Sequence, residues 1–248
     1  MSLSKFQGQI FLFVIAYFVS LSTFSDSAKY AITEWNPYWI IKSNKVSGIL
    51  NDIMLEVDMR VGFDLEAGNP VPVKRAKHQF KEGEAQIECC VNPAWRPSPE
   101  QVEISLWTDT VLSVEEVLIF PYGGKFEFNS LEDLKGRLIA TILGYGYTGS
   151  EYFKRSDSKD NVSQITKVSM GRGEAGIIDR IELAHALKNN LTLKERNVKI
   201  EEGPVINRSE LKMRVHISHP ELIQPINAAI EMMKRDGTIN RIVKSYVK

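Results

Sequence analysis

Residues 219–248 read HPELIQPINAAIEMMKRDGTINRIVKSYVK. Pro220 suits the first turn of a helix, where its missing N–H costs nothing. Leu222, Ile223, Ile226, Ala229, Ile230 and Met233 then recur at helical spacing and make one apolar face. Gly237 caps that helix, and a last helix carries Ile239, Ile242, Val243 and Tyr246. Two amphipathic helices in series need an apolar surface to cover.

Upstream, the chain alternates between short β-type runs and helical patterns. Lys29–Thr33 reads as a strand that leaves into the loop Glu34-Trp35-Asn36-Pro37-Tyr38-Trp39. After Gly48, the residues Ile49, Ile53, Met54, Val57 and Val61 share one helical face, and Gly62 is its C-cap. Phe63–Leu65 is a candidate strand, Val73–Glu82 a short helix closed by Gly83, and Gln86–Val91 a strand. Val114–Phe120 (VEEVLIF) is β-rich and ends in Pro121-Tyr122-Gly123-Gly124, a turn and a break in composition. Ser130 with Asp133 has the form of a capping box. Arg137–Thr141 predicts a strand, Thr148–Lys154 the start of a helix, Val162–Met170 a helix and Ala175–Ile178 a buried strand ending at Asp179. Ile181–Leu187 follows as a helix, Val198–Glu201 as a further strand, and Leu211–Ile217 as a separate β-type return. This alternation argues for α/β sheets.

The N-terminus differs from the rest. Lys5 is followed by the apolar run Ile10–Leu21, about a dozen residues, too short to span a bilayer comfortably. Ser25, Ser27 and Ala28 then offer cleavage positions. This is the pattern of a secretory signal peptide, expected over residues 1–27. In the whole chain 31 basic and 31 acidic residues cancel, and apolar residues make up 43%. Such a chain has no basic field to hold nucleic acid. Cys89 and Cys90 are neighbours. They read as two small residues of a core strand, with a redox-active vicinal pair as the alternative. His216 and His219 make no convincing metal pair, and no cofactor or metal is expected.

Several segments, in order, resemble the bacterial extracellular solute-binding proteins of family 3, the amino-acid-binding components of ABC transporters. The residues that carry the resemblance are His219–Ile230 with Lys234-Arg-Asp-Gly-Thr-Ile239, Ile242 and Tyr246. Ser130-Leu-Glu-Asp-Leu-Lys-Gly136, Gly171-Arg-Gly-Glu-Ala-Gly-Ile-Ile-Asp179, Gly48 with its helix, and Trp95-Arg96 followed by Val102-Glu-Ile-Ser105 add to it. The resemblance spans residues 29–248. It implies a two-lobed α/β fold of the type II periplasmic-binding-protein kind, with two crossing hinge strands. Lobe 1 is expected over 28–117 and 213–248, and lobe 2 over 118–212. It also implies a periplasmic monomer that closes around a small polar ligand, an amino acid or related carboxylate, and hands it to a membrane permease. A sensory binding protein, or an enzyme like cyclohexadienyl dehydratase on the same fold, are the other readings.

The residues expected at the ligand follow from chemistry and from this resemblance. Arg96 offers a planar fork for a carboxylate. Asp179, at the end of a buried strand, can accept from a ligand ammonium or cap the next helix. Glu34 is a second candidate for the ammonium. Trp35, Tyr38, Trp95 and Trp107 can wall the apolar part of the ligand. Tyr145 and Tyr147 can donate hydroxyls from the second lobe. The sequence departs from the family here: Gln86 stands near a usual acidic position, the loops around Arg96 differ in length, and Gly144-Tyr-Gly-Tyr147 replaces a Gly-Ser/Thr-Thr turn.

Overall fold

The computed structural model describes residues 27–43 and 45–248. The expected signal peptide lies outside the described residues except for Ser27, which opens the first strand. In chain order the elements are β1 (Ser27–Ile32), β2 (Ile40–Lys42), β3 (Lys45–Ser47), α1 (Ile49–Val61), β4 (Asp64–Pro70), α2 (Val73–Lys81), β5 (Ile87–Val91) and α3 (Pro99–Glu103). They continue with β6 (Ser105–Pro121), β7 (Leu138–Ile142), β8 (Lys154–Ser158), α4 (Asn161–Ser169), β9 (Ala175–Asp179), α5 (Arg180–Asn189) and α6 (Leu191–Glu195). β10 (Ile200–His216), α7 (Ile223–Arg235) and α8 (Thr238–Val247) complete the chain.

One sheet of order β4-β1-β5-β10-β6-β9-β7-β8 runs through the molecule. Its two ends are parallel, β1 pairing with β4 and β5, and β7 with β8 and β9. Its middle is the antiparallel pair β6 and β10. These two long strands change partners along their length. Leu112 and Val114 of β6, with Leu211, Met213 and Val215 of β10, join a core built from α1, α7 and the β1 side of the sheet. Val117–Phe120 of the same β6 belong instead to two clusters with α4, α5, β7 and β9. An apolar side chain must find a covering layer. The helices on either side of the strand midpoint therefore build separate cores in the two lobes, and β6 and β10 cross between them.

The helix ends follow the sequence signals. Gly62 sits at φ 72°, closing α1, and Gly237 at φ 74° separates α7 from α8. Ser130 and Asp133 form the capping box, over a short 3-10 turn. A further 3-10 turn, Pro220–Leu222, precedes α7.

Three local expectations are corrected. Val198–Glu201 and Leu211–Ile217 are not separate strands: Ile200, Glu201 and Leu211–His216 all lie on the single 17-residue strand β10 (Ile200–His216). The intervening Glu202–Glu210 contains Gly203, Pro204 and charged residues, a composition with little strand preference of its own. The ladder accommodates it through shifts in register on both sides of Val205. Thr148–Lys154 is not helical: it turns at Gly149 (φ 77°) into β8, whose KRSDS sequence is polar because the strand lies at the sheet edge. Cys89 and Cys90 do lie buried in β5, but as a bonded vicinal pair rather than as two separate small residues.

Candidate functional site

The crevice between the lobes is lined on one side by the loop after β1. That loop is pinned to the start of α1. Ile49 N–H donates to the Pro37 carbonyl at 3.0 Å and Leu50 N–H to the Tyr38 carbonyl at 2.9 Å. Gly48 makes this approach possible: a Cβ there would stand 2.4 Å from the Tyr38 carbonyl oxygen, and φ is 119°. A bridge between Trp35 and Trp39 closes the loop, with hydrogen bonds of 3.0 and 2.7 Å. Trp39 turns inward, 2% exposed, and gives its indole N–H to the Cys89 carbonyl at 2.9 Å. Trp35, partly buried, and Tyr38, fully buried, turn toward the second lobe. Their ring centroids are 4.1 Å apart, and the Trp95 ring meets Trp35 edge-on at 6.0 Å.

The facing wall is acidic. Asp179 ends β9 and caps α5, its Oδ1 accepting from Ile181 N–H at 2.8 Å and Glu182 N–H at 2.9 Å. The same oxygen accepts the Tyr38 hydroxyl from across the crevice at 3.0 Å. Oδ2 is buried and has no partner. Glu182, in the first turn of α5, accepts the Trp35 indole N–H on Oε1 and the Asn161 amide on Oε2, the latter at 2.9 Å. Burial pushes both carboxyls up, and for Glu182 the Asp179 charge adds to it. Burial likewise raises the Tyr38 hydroxyl, followed by the Asp179 charge. The lobes also meet where α5 passes α8: His185 Nδ1 lies 3.0 Å from the Tyr246 carbonyl oxygen.

The Glu182 shift has a testable consequence. Its ordinary value is 4.5 and the folded one is about 8. Between these the folded chain holds a proton that the unfolded chain has lost. The contribution is therefore complete below the unfolded value and disappears as pH rises through the folded one. Unliganded protein is expected to lose stability across that window, of the order of a few kcal/mol. Glu182→Gln should flatten the loss. Melting curves of both proteins at a series of pH values test this, and parallel profiles would contradict it.

Arg96 is neither exposed nor unpaired. It is 8% exposed, its Nε donates to Glu88 Oε2 at 3.1 Å, Nη2 reaches Glu88 Oε1, and Nη1 donates to the Trp95 carbonyl at 2.9 Å. Arg214, fully buried, donates to Glu88 Oε2 at 3.0 Å and lies over the Phe80 ring at 3.9 Å. Lys77 is close enough for burial, and then the Arg96 charge, to lower its pKa. Three cations thus share one carboxylate, leaving this part of lobe 1 with an excess of positive charge.

The other expected residues separate. Tyr145 is 44% exposed on lobe 2, and its hydroxyl is raised by burial and then by the charges of Glu182 and Glu34, so it stands at the crevice. Glu34 is exposed. Tyr147 instead belongs to the lobe 2 core, its hydroxyl oxygen accepting from Ile142 N–H at 2.9 Å. Trp107 lies on β6 opposite Arg214, and no hydrogen bond or ring contact among the described residues ties it to the crevice rings. Glu88, Arg214 and Glu182 were not singled out from sequence. Their signal is a charge inside an otherwise apolar run (QIECCV, LKMRVHI) or one turn past a strand-end acid, since a charge placed in a core needs a partner.

Two α/β lobes joined by a crossed strand pair, with charged and aromatic walls between them, define a clamshell binding protein. The sequence profile of the bacterial extracellular solute-binding proteins, family 3, matches residues 30–248, and the chain belongs to that family. A probable amino-acid-binding protein of Bacillus subtilis (strain 168), YxeM, is 25% identical over 128 residues, which are 48% of this chain and 47% of YxeM. The match therefore spans about half the length of that relative. Among solved structures, the GluR0 ligand-binding core complexed with L-glutamate superposes with a TM-score of 0.71 at 18% identity, covering 90% of this chain and 98% of that one. The unliganded, open L-cystine solute receptor of Neisseria gonorrhoeae gives 0.67 at 17% identity, covering 89% and 92%. At these identities the two structures show the shared fold. No helix among the described residues is long and apolar enough to cross a membrane.

Proposed function

We propose that the protein is exported, with residues 1–27 as its signal peptide, and that it binds an α-amino acid between its lobes for delivery to an ABC-type membrane permease. The observation that carries this reading is the division of charge. Lobe 2 presents Asp179, with one oxygen unsatisfied, and Glu182. Lobe 1 holds a cationic excess around Arg96. A zwitterion matches both at once. Each lobe alone supplies half of the contacts, so a bound ligand favours the closed arrangement. Trp35, Tyr38, Trp95 and Tyr145 enclose its side chain. Family membership and the amino-acid-binding description of YxeM support the ligand class. They also favour binding over catalysis.

A thermal-shift screen of the mature chain against the common L-amino acids tests the reading. At a hundred times its Kd a ligand stabilises the folded state by about 2.7 kcal/mol. For a protein of this size that is a rise in Tm of about 5–10 °C. One amino acid, or a small related set, is expected to give such a rise. A screen with no shift would contradict the proposal.

A further inference from the structure

Resting on that reading, we propose that the ligand carries a second cationic group in addition to its α-ammonium: the cleft is built for a basic amino acid rather than a neutral or acidic one. The geometry of the lobe 2 wall points to it. Asp179 and Glu182 are 9% and 5% exposed, and every hydrogen bond they receive comes from a neutral donor: the Tyr38 hydroxyl, the Trp35 indole, the Asn161 amide and two backbone N–H groups. Glu116 stands opposite Asp179 on the neighbouring strand, and it too accepts from a neutral donor, the Asn207 amide at 2.8 Å. The nearest arginine in the chain, Arg180, is directed elsewhere, to Glu115 and Glu202.

Buried carboxylates are normally matched by a cation; without one the carboxyl keeps its proton, as Glu182 does, until a bound cation lets it ionise and pair. Among the described residues no cation bonds to these three acids. One ammonium answers one carboxylate, and the unpartnered Oδ2 of Asp179 marks where it is missing. Glu182 is the second demand. It lies one helical turn along α5, and side chains at that spacing start about 5–6 Å apart. The short polymethylene tether of a basic side chain spans such a separation. The opposite wall meets these acids through the Trp35 indole N–H and the Tyr38 hydroxyl and supplies no positive charge to them.

Matched pairs of probes separate this inference from the reading beneath it. Calorimetric titrations with L-arginine against L-citrulline, and L-lysine against L-norleucine, hold size nearly constant while removing the distal charge. The cationic member of at least one pair is expected to bind about tenfold to a hundredfold more tightly. Glu182→Gln should reduce that ratio to a few-fold. Equal affinities within both pairs would overturn the inference and leave amino-acid binding standing. Silence from all four probes would also overturn it, and the wider thermal-shift screen would then decide alone on amino-acid binding.

Discussion

Replacing Glu88 by glutamine is expected to destabilise the fold by about 3–5 kcal/mol, the usual loss when one side of a buried ion pair is removed. Among the described residues Glu88 is the single carboxylate that bonds Arg96 and Arg214 in the lobe 1 core. Those two guanidinium groups are 9% and 0% exposed as side chains, so water reaches Arg96 only at its edge and Arg214 not at all. Arg214 would keep Ser105 Oγ and the Gln101 carbonyl, neither of which is charged. Lys77 adds a third positive charge to the same region. The companion substitution Lys77→Met removes one of the competing cations and is expected to leave stability unchanged or raise it. Denaturant midpoints at constant m-value decide the matter. A loss below about 1 kcal/mol in Glu88→Gln, in the range of an exposed pair, would show that the cluster is solvated and not the charge centre described above.

Asp179→Ala is expected to weaken ligand binding by about tenfold to 150-fold, the equivalent of one charged hydrogen bond. It should also remove about 1 kcal/mol of stability, because Asp179 caps α5. The two effects can be separated. Asparagine is as good an N-cap as aspartate but has no charge, so Asp179→Asn should recover the stability and not the affinity. The Tyr38 contact survives in that variant, since the amide oxygen still accepts its hydroxyl. Recovery of both properties in Asp179→Asn would mean that the residue serves the helix alone. Loss of neither in Asp179→Ala would remove Asp179 from the site.

Much of this architecture is legible in residue order. The stops at Gly62 and Gly237, the capping box at Ser130, and the apolar faces of α1 and α7 each have a local cause and are found where that cause predicts. β10 is different. Its middle, Glu202–Glu210, is a strand because it pairs with β6 while crossing between lobes, and nothing within the segment announces a partner so distant in sequence. β8 was hidden in the same way, its polar sequence reflecting an edge that only the assembled sheet defines.

The candidate site was legible by residue type more than by role. Asp179, Trp35, Tyr38 and Trp95 come together at the crevice. Arg96, read as a group open to ligand, spends two of its nitrogens on Glu88, an interaction that the intervening Cys89–Trp95 stretch does not suggest. Tyr147, two residues from Tyr145, is drawn into the lobe 2 core, where its hydroxyl accepts from Ile142 N–H. Sequence shows which residues have the chemistry; only the tertiary contacts show which of them are already engaged with the protein itself.

The claim that lobe 1 answers a carboxylate and lobe 2 an ammonium of the same small molecule is tested most directly by removing each group from the ligand in turn. The measurement is a calorimetric titration of the wild-type protein with the amino acid that shifts its melting temperature most. Its des-amino and decarboxylated analogues are titrated alongside. Each analogue is expected to bind at least about tenfold more weakly than the parent, with a single saturating site for the parent. Undiminished affinity for either analogue would contradict the two-walled recognition described here.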